Sequence, residues 1–487
     1  MSKLALIIIH KVLLFVKKSL IIIAKEVYIM LIRFAVENFL SFKELTEFNM
    51  TAGKMTRHKE HVALCNGKRI LKGSFVFGAN AGGKTNLIRA ISFARSIIEN
   101  GLENTNCDKK YFRIDSEYKN KPSVFQFDIF AGGHFYSYGF AISLLNASIE
   151  EEWLYRIGDR DECIFLRSLS EDGDKLYTLS TDLKLSATDK PRFDIYAEDI
   201  CSKKMHNKLF LTDVVMRSPD DAPEYQAFRD VIEWFARLII IFPGSRYRKI
   251  TQLMENDSER TRLETLLNYF DTGIDKIEKK ETEFSKAFSS LPEDVVESLK
   301  TNITKELKNR AASAQIEQED SRFEVKYKDG ELVAFRVVAN HGNGEDLFEY
   351  ADESDGTQRL FNLIPIFQKV LKDCVIIIDE IDRSLHTKAT IEFINYFYQI
   401  ALDSHAQLIA TTHDSNIMNL DFIRQDEIWF VERQKDHSSR LYSLNQFKER
   451  FDKKVEKDYL IGRYGAIPIF NYFAFETQPT EDGDCGV

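Results

Sequence analysis

Apolar positions along the chain change period several times, and each change predicts an element. Ile32, Phe34, Val36, Phe39 and Phe42 alternate through residues 31–48 as strand positions do. A polar stretch over 51–67 separates them from the run 74–78, which reads as a buried strand. Helical spacing follows over 84–99, with Asn100-Gly101 as a C-terminal stop. Residues 124–129, 134–142 and 148–155 predict antiparallel strands around a Gly132-Gly133 turn, and 164–167 and 176–179 extend that sheet. From 195 to 315 the character turns helical: 224–240 and 258–270 keep apolar residues on one helical face, and Pro292 opens a further helix carrying Val295, Val296, Leu299, Ile303 and Leu307. Heptads are not sustained, so no long coiled-coil arm is expected. A hairpin over 323–338 turns at Asp329-Gly330, and the pattern then alternates strand and helix, as in an α/β core. Two runs there, 375–378 and 408–412, are apolar on both faces, which central parallel strands require.

Composition narrows this picture only a little. The chain has 487 residues, enough for two or three domains, and 44% hydrophobic content is ample for sizeable cores. A net charge of −10 argues against a surface that clings to nucleic acid everywhere, although a local basic groove stays open. The six cysteines are scattered without metal-ligand spacing, which suits a reducing cytosol, so a cytoplasmic protein without a structural metal is expected. The first residues are apolar blocks cut by lysines, each too short for a membrane helix. Met30 directly precedes the first alternating strand, so residues 1–29 read as a non-native or disordered extension, with a peripheral membrane anchor as the alternative.

The most specific chemistry lies at 75–88. Gly78, Gly83, Lys84 and Thr85 satisfy G-x-x-x-x-G-K-[ST], with an apolar strand before them and a helix after. Glycines let backbone N–H groups point into one concavity, and the helix adds its positive end. The loop Gly78, Asn80, Gly82, Gly83, Lys84, Thr85 and Asn86 is therefore a candidate polyphosphate cradle, with Lys84 on the phosphates and the Thr85 hydroxyl on Mg²⁺.

Three further stretches could complete such a site. The strand at 375–378 runs into Asp379 and Glu380, at the carboxyl end where open α/β sheets carry their catalytic groups. Asp379 is the candidate Mg²⁺ ligand and Glu380 the candidate for polarising an attacking water. The strand at 408–412 ends in His413, a candidate γ-phosphate sensor. Ser354-Asp355-Gly356-Thr357-Gln358 opens an apolar helix, and Ser354 and Gly356 read as a second anion-binding end, with a plain helix cap as the alternative.

In this order, the phosphate loop, the Ser354–Gln358 helix start, the Asp379-Glu380 strand and the strand ending in His413 resemble the ABC-type ATPases of the SMC and OLD branch. The chain is more closely similar to bacterial phage-defence ATPases of the abortive-infection type. Asn38-Phe39-Leu40-Ser41-Phe42, Asp271-Thr272-Gly273-Ile274 and Gly462-Arg463-Tyr464-Gly465-Ala466-Ile467-Pro468 carry the same resemblance. It implies an α/β P-loop NTPase, an ABC-ATPase-like head with a β subdomain and a helical insertion between phosphate loop and signature. The division implied is an N-terminal ATPase lobe over 30–194, the helical insertion over 195–320, a C-terminal lobe over 321–476 and a disordered tail over 477–487.

The resemblance also implies ATP and Mg²⁺ as ligands and a homodimer or higher oligomer closed through the ATP sites. Ser354 and Gly356 of one copy would then face Lys84 of another. Its functional implication is an ATP-hydrolysing sensor that controls a separate effector, a Toprim-like nuclease. No acidic triad for two-metal cleavage is visible after His413, so the chain itself is not expected to cut nucleic acid. The alternative is an SMC-like ATPase acting directly on DNA ends or structure. Two departures stand out: His386 occupies the place of a transporter's closing Asp, and no Q-loop glutamine is placed, although Gln126 lies in the first β insertion.

Overall fold

The computed structural model describes residues 28–170, 176–245, 253–309, 313–318, 321–328, 330–447 and 454–468. The stretches read as apolar on both faces lie at its centre. Leu238–Ile241, Val375–Ile378, Gln407–Thr411, Gly73–Phe77, Ile428–Arg433 and Ser439–Ser443 form one sheet in that order. Its first five strands are parallel and the last is antiparallel. Val76, Val375, Ile377 and Ile409 face one apolar core, while Phe75, Phe77, Ile376, Ile378, Leu408 and Ala410 face another. A strand buried on both sides has no polar face to show, so its sequence does not alternate.

The first core also packs the helix Lys84–Asn100 and a seven-stranded antiparallel sheet against the central sheet. That second sheet runs Tyr177–Ser180, Glu162–Leu169, Ser148–Ile157, His134–Ser143, Ser123–Ala131, Met30–Glu37, Thr46–Asn49. Helices Lys190–Ile200, Phe210–Arg217 and Gln226–Ala236 join the same core. Fully buried Glu152 fixes the second of them by accepting from Phe210 N at 2.6 Å and Leu211 N at 3.0 Å. A carboxylate there satisfies orphan N–H groups and the positive end of the helix dipole together. Tyr138 Oη donates to the same carboxylate, so this helix is fastened to the sheet rather than laid against it.

Four expectations are corrected. Residues 31–48 are not one strand: Asn38 and Leu40 adopt positive φ, and the chain doubles back between Met30–Glu37 and Thr46–Asn49. The polar stretch 51–67 holds a strand, Val62–Cys65, that pairs with Lys68–Leu71 through an Asn66-Gly67 turn with both φ positive, a hairpin signal that its polarity masks. The helix expected over 224–240 stops at Ala236, and Leu238–Ile241 becomes the edge strand of the central sheet. β-branched Ile239-Ile240-Ile241 favours that outcome. The expected helical character of 195–320 also fails at Lys276–Glu283 and Ala314–Gln318, which pair in a four-stranded sheet with Ser321–Lys328 and Glu331–Asn340. Lys276–Glu283 is a charged strand whose one apolar side chain is Ile277, so it carries almost no alternation to read.

Residues 1–27 and 477–487 lie outside the described residues, and Leu444–Phe447 forms a short 3₁₀ turn. Ile29 is fully buried and the Tyr28 ring lies 4.2 Å from that of His405, so packing begins before Met30. Among the described residues no helix is long and apolar enough to cross a membrane.

Candidate nucleotide-binding site

Three neighbouring parallel strands release their chain at one end of the central sheet, and the candidate residues converge there. Gly73–Phe77 runs into the loop 78–83, and Gly83, with φ +120°, caps the helix Lys84–Asn100. A Cβ on Gly83 would lie 2.2 Å from Ser439 Oγ, and one on Gly78 would lie 2.3 Å from Val431 O. Both positions therefore exclude a side chain, Gly83 on backbone grounds as well. Lys84 folds back over the loop: its Nζ donates to Gly78 O at 2.6 Å and Ala79 O at 3.2 Å. Asn80 sits exposed on the crown of the loop.

The next two strands bring the acids and the histidine. Val375–Ile378 ends in Asp379, which is 1% exposed and accepts from Thr411 Oγ1 at 2.6 Å and Thr85 Oγ1 at 3.3 Å through Oδ1. Its other oxygen, Oδ2, is buried without a hydrogen-bond partner among the described residues. An unpaired buried carboxylate oxygen is costly, so it marks a place where a further group belongs. Glu380 follows with φ +51°, strained for a non-glycine residue, and its N–H donates to Thr411 Oγ1 at 2.8 Å. Gln407–Thr411 leads to His413, whose Nδ1 lies 3.3 Å from Lys84 Nζ and whose backbone N–H faces Asp382. An ammonium can only donate, so Nδ1 accepts and the ring proton sits on Nε2. Burial, reinforced by the Lys84 charge, pushes the His413 pKa below the usual imidazole value. Burial pulls Lys84 down to about 8, against the opposing pull of Asp382, Asp379 and Glu380.

Sequence reasoning missed several residues here. Ser439 Oγ donates to Gly82 O at 2.7 Å and contacts Ser41 Oγ at 2.8 Å, and Asn86 Nδ2 donates to that same Ser41 Oγ at 2.8 Å. The phosphate loop is thus clasped by two serines remote in sequence. Ser41 belonged to the Asn38–Phe42 segment, but that segment read as strand; Ser439 carried no signal at all. Arg359 was also passed over. It is 5% exposed, and its guanidinium donates to the carbonyls of Asp379, Glu380, Phe242 and Pro243.

None of the described hydrogen bonds joins the remaining candidates to Lys84. Ser354 caps the helix Asp355–Leu363 by accepting from Thr357 N at 3.2 Å. A Cβ on Gly356 would meet Ser384 O at 2.9 Å, so this helix abuts the turn after Glu380. Neither residue touches the phosphate loop of its own chain in any described contact. His386, at the place of a closing Asp, is the N-cap of Thr387–Ile400 and accepts from Lys388 N. Gln126 bonds Asp128 and Ser137 on the antiparallel sheet.

A glycine-rich loop between parallel strand and helix, with a buried acid on the adjoining strand beside its threonine, defines a P-loop protein of the α/β class. The chain belongs to the family described as "AAA domain, putative AbiEii toxin, Type IV TA system", whose model matches residues 74–419. Among solved structures it is similar to an SMC head bound to the C-winged helix domain of ScpA, at 13% identity and TM-score 0.38, covering 86% of this chain and 99% of that one. It is also similar to the SMC head domain from Thermotoga maritima, at 12% identity and TM-score 0.31, covering 85% of this chain and 98% of that one. No curated protein matches the chain significantly.

Proposed function

We propose that this chain binds and hydrolyses ATP with Mg²⁺, that two copies close across the nucleotide, and that the cycle gates a separate effector in anti-phage defence. The observation that carries the first part is the convergence of Lys84, Thr85, Asp379 and His413 at the ends of adjacent parallel strands. The free Asp379 Oδ2 beside the Thr85 hydroxyl is a hard-oxygen donor set that fits Mg²⁺, which is usually held by one or two carboxylates and by phosphate oxygens. That ion would neutralise phosphate charge. Lys84, released from Gly78 O and Ala79 O, would bind phosphate oxygens, and the loop's N–H groups would enclose them. Glu380 would orient water, and His413 would offer its Nε2 proton to the terminal phosphate.

Closure of two copies rests on Ser354 and Gly356: Ser354 is exposed at its helix start, and neither residue has a described contact with its own phosphate loop, which leaves that start available to a partner. The effector and the defence role rest on the resemblance; a family description that names a toxin of a toxin–antitoxin system is compatible with conditional control of this kind. Phage challenge of cells carrying the chain alone, or with the adjacent open reading frame, tests them. Protection is expected only with both, and only with Lys84 intact. Full protection by the chain alone would rule out the separate effector, and salt-dependent DNA binding by the isolated protein would favour a DNA-handling machine instead.

The lowered Lys84 pKa gives a pH signature. Without ligand the amine loses its proton above about 8, whereas a bound polyphosphate pulls its pKa back up. Binding above that pH therefore takes up a proton, and ATP affinity should fall by up to about tenfold per pH unit. Below it this group contributes no slope. Lys84→Arg stays charged throughout and should flatten the profile, as titration calorimetry between pH 7 and about 9.5 would report. A slope unchanged in Lys84→Arg would assign it to another group.

A further inference from the structure

At the end of the central sheet opposite the phosphate loop, His58, Glu60 and His61 bring one ligand atom each within 4.8 Å of one another. Glu60 Oε1 lies 3.5 Å from His58 Nδ1 and 3.9 Å from His61 Nε2, so both rings present a nitrogen to a single carboxylate oxygen. The far nitrogens are already committed to acceptors. His61 Nδ1 lies 3.0 Å from Glu427 Oε1, a fully buried carboxylate that also accepts from Tyr398 Oη at 3.1 Å and Arg424 N at 2.8 Å. His58 Nε2 lies 3.2 Å from Leu420 O. A carboxylate and a carbonyl can only accept from these rings. They therefore put the protons on His61 Nδ1 and His58 Nε2, and leave lone pairs on the two nitrogens facing Glu60.

We propose that His58 Nδ1, Glu60 Oε1 and His61 Nε2 form a binding site for a divalent transition-metal ion, with Zn²⁺ as the best match. Two imidazoles and a carboxylate are a borderline-soft donor set suited to zinc, and three protein ligands leave a fourth position for water. The outer bonds to Glu427 and Leu420 O are what metal-bound histidines ordinarily make, since they fix ring tautomer and orientation. His61 supplies a second, independent observation. It is 4% exposed, its ring stacks on Tyr398 with centroids 3.4 Å apart, and its Nε2 makes no hydrogen bond among the described residues. An imidazole held on one side by Glu427 and facing Glu60 on the other is a preorganised ligand. The separations of 3.5 and 3.9 Å from Glu60 Oε1 exceed the roughly 3.3 Å between ligands of a tetrahedral ion by a few tenths of an ångström, given metal–nitrogen distances of about 2.0–2.1 Å. Half-exposed Glu60 has the freedom to close that gap.

The site is distinct from the nucleotide site. Gly73 and Ile428 begin the parallel strands whose other ends hold the phosphate loop and its neighbours, and Glu427 immediately precedes Ile428. Lys72 N donates to His61 O, which couples the cluster to the foot of the phosphate-loop strand. The cysteine spacing, on which the expectation of no structural metal rested, said nothing about this His-Lys-Glu-His segment.

The test uses the full chain without a polyhistidine tag, in an Asp379→Asn background so that the candidate Mg²⁺ site cannot contribute. Stripped protein is titrated with Co²⁺ and then with Zn²⁺ in competition against a chelator. The expected result is one ion per chain with visible bands of four-coordinate Co²⁺, displaced by Zn²⁺. Glu60→Gln and His58→Asn should each weaken binding by about tenfold or more. Asparagine suits the left-handed backbone of His58, so that variant should fold. His437→Asn, also at a left-handed position but elsewhere, should bind as the parent does. Absence of stoichiometric binding, or parent-like affinity in Glu60→Gln and His58→Asn, overturns the proposal.

Discussion

Glu380→Gln is expected to lower ATP turnover at least about a hundredfold while leaving binding intact, the range that loss of a positioned general base produces. The substitution keeps side-chain shape and the backbone bond from Glu380 N to Thr411 Oγ1, because that bond does not involve the carboxylate. It also leaves Asp379, Thr85 and Lys84 in place. ATP should then persist in the site, and any contact made only with nucleotide should become permanent. Light scattering with ATP·Mg²⁺ should report a doubled mass for Glu380→Gln and a transient or smaller increase for the wild type. Unchanged turnover would remove Glu380 from the chemistry. A mass that never responds to ATP would reduce Ser354 to the helix cap that its bond to Thr357 already makes it.

Lys84→Ala should abolish measurable nucleotide binding, with affinity reduced by about a hundredfold or more. Charge-assisted hydrogen bonds contribute about 1.5–3 kcal/mol each, and an ammonium bridging two phosphate oxygens makes two. Folding should survive. The lowered Lys84 pKa records that burying this charge opposes the folded state, so removing it offsets the bonds lost to Gly78 O and Ala79 O. Calorimetry and a thermal melt on the same sample separate the outcomes: lost binding with an unchanged melt supports the assignment, and retained binding refutes it.

What could be read from the sequence followed the density of local constraint. The strand–loop–helix geometry at Gly78 to Asn86 was legible because a P-loop needs particular residues at fixed offsets. The strands ending in Asp379 and His413 were legible because burial on both faces suppresses alternation, and they do pair in register, Val375 with Gln407. The clasp of Ser41 and Ser439 was not legible, since a serine hydroxyl bonding a carbonyl leaves no pattern and its partner lies far along the chain. Leu238–Ile241 was misread for a related reason. Four apolar residues after a helix continue helical spacing as readily as they begin a strand, and only the vacant edge beside Val375–Ile378 decides between them. The charged strand Lys276–Glu283 shows the same limit, because its pairing with Glu331–Asn340 is carried by backbone bonds.

The serine clasp has a consequence for how the protein comes into being. Ser439 lies 357 positions after the carbonyl it holds, and the strand that carries the phosphate loop is flanked by Gln407–Thr411 and Ile428–Arg433. During synthesis the loop emerges early, yet its neighbours are translated last. A ribosome-bound chain therefore carries the nucleotide motif for most of its elongation without the walls that shape it. Under the proposed function, binding competence arrives only near completion, and a truncated or stalled product would not enter the nucleotide cycle.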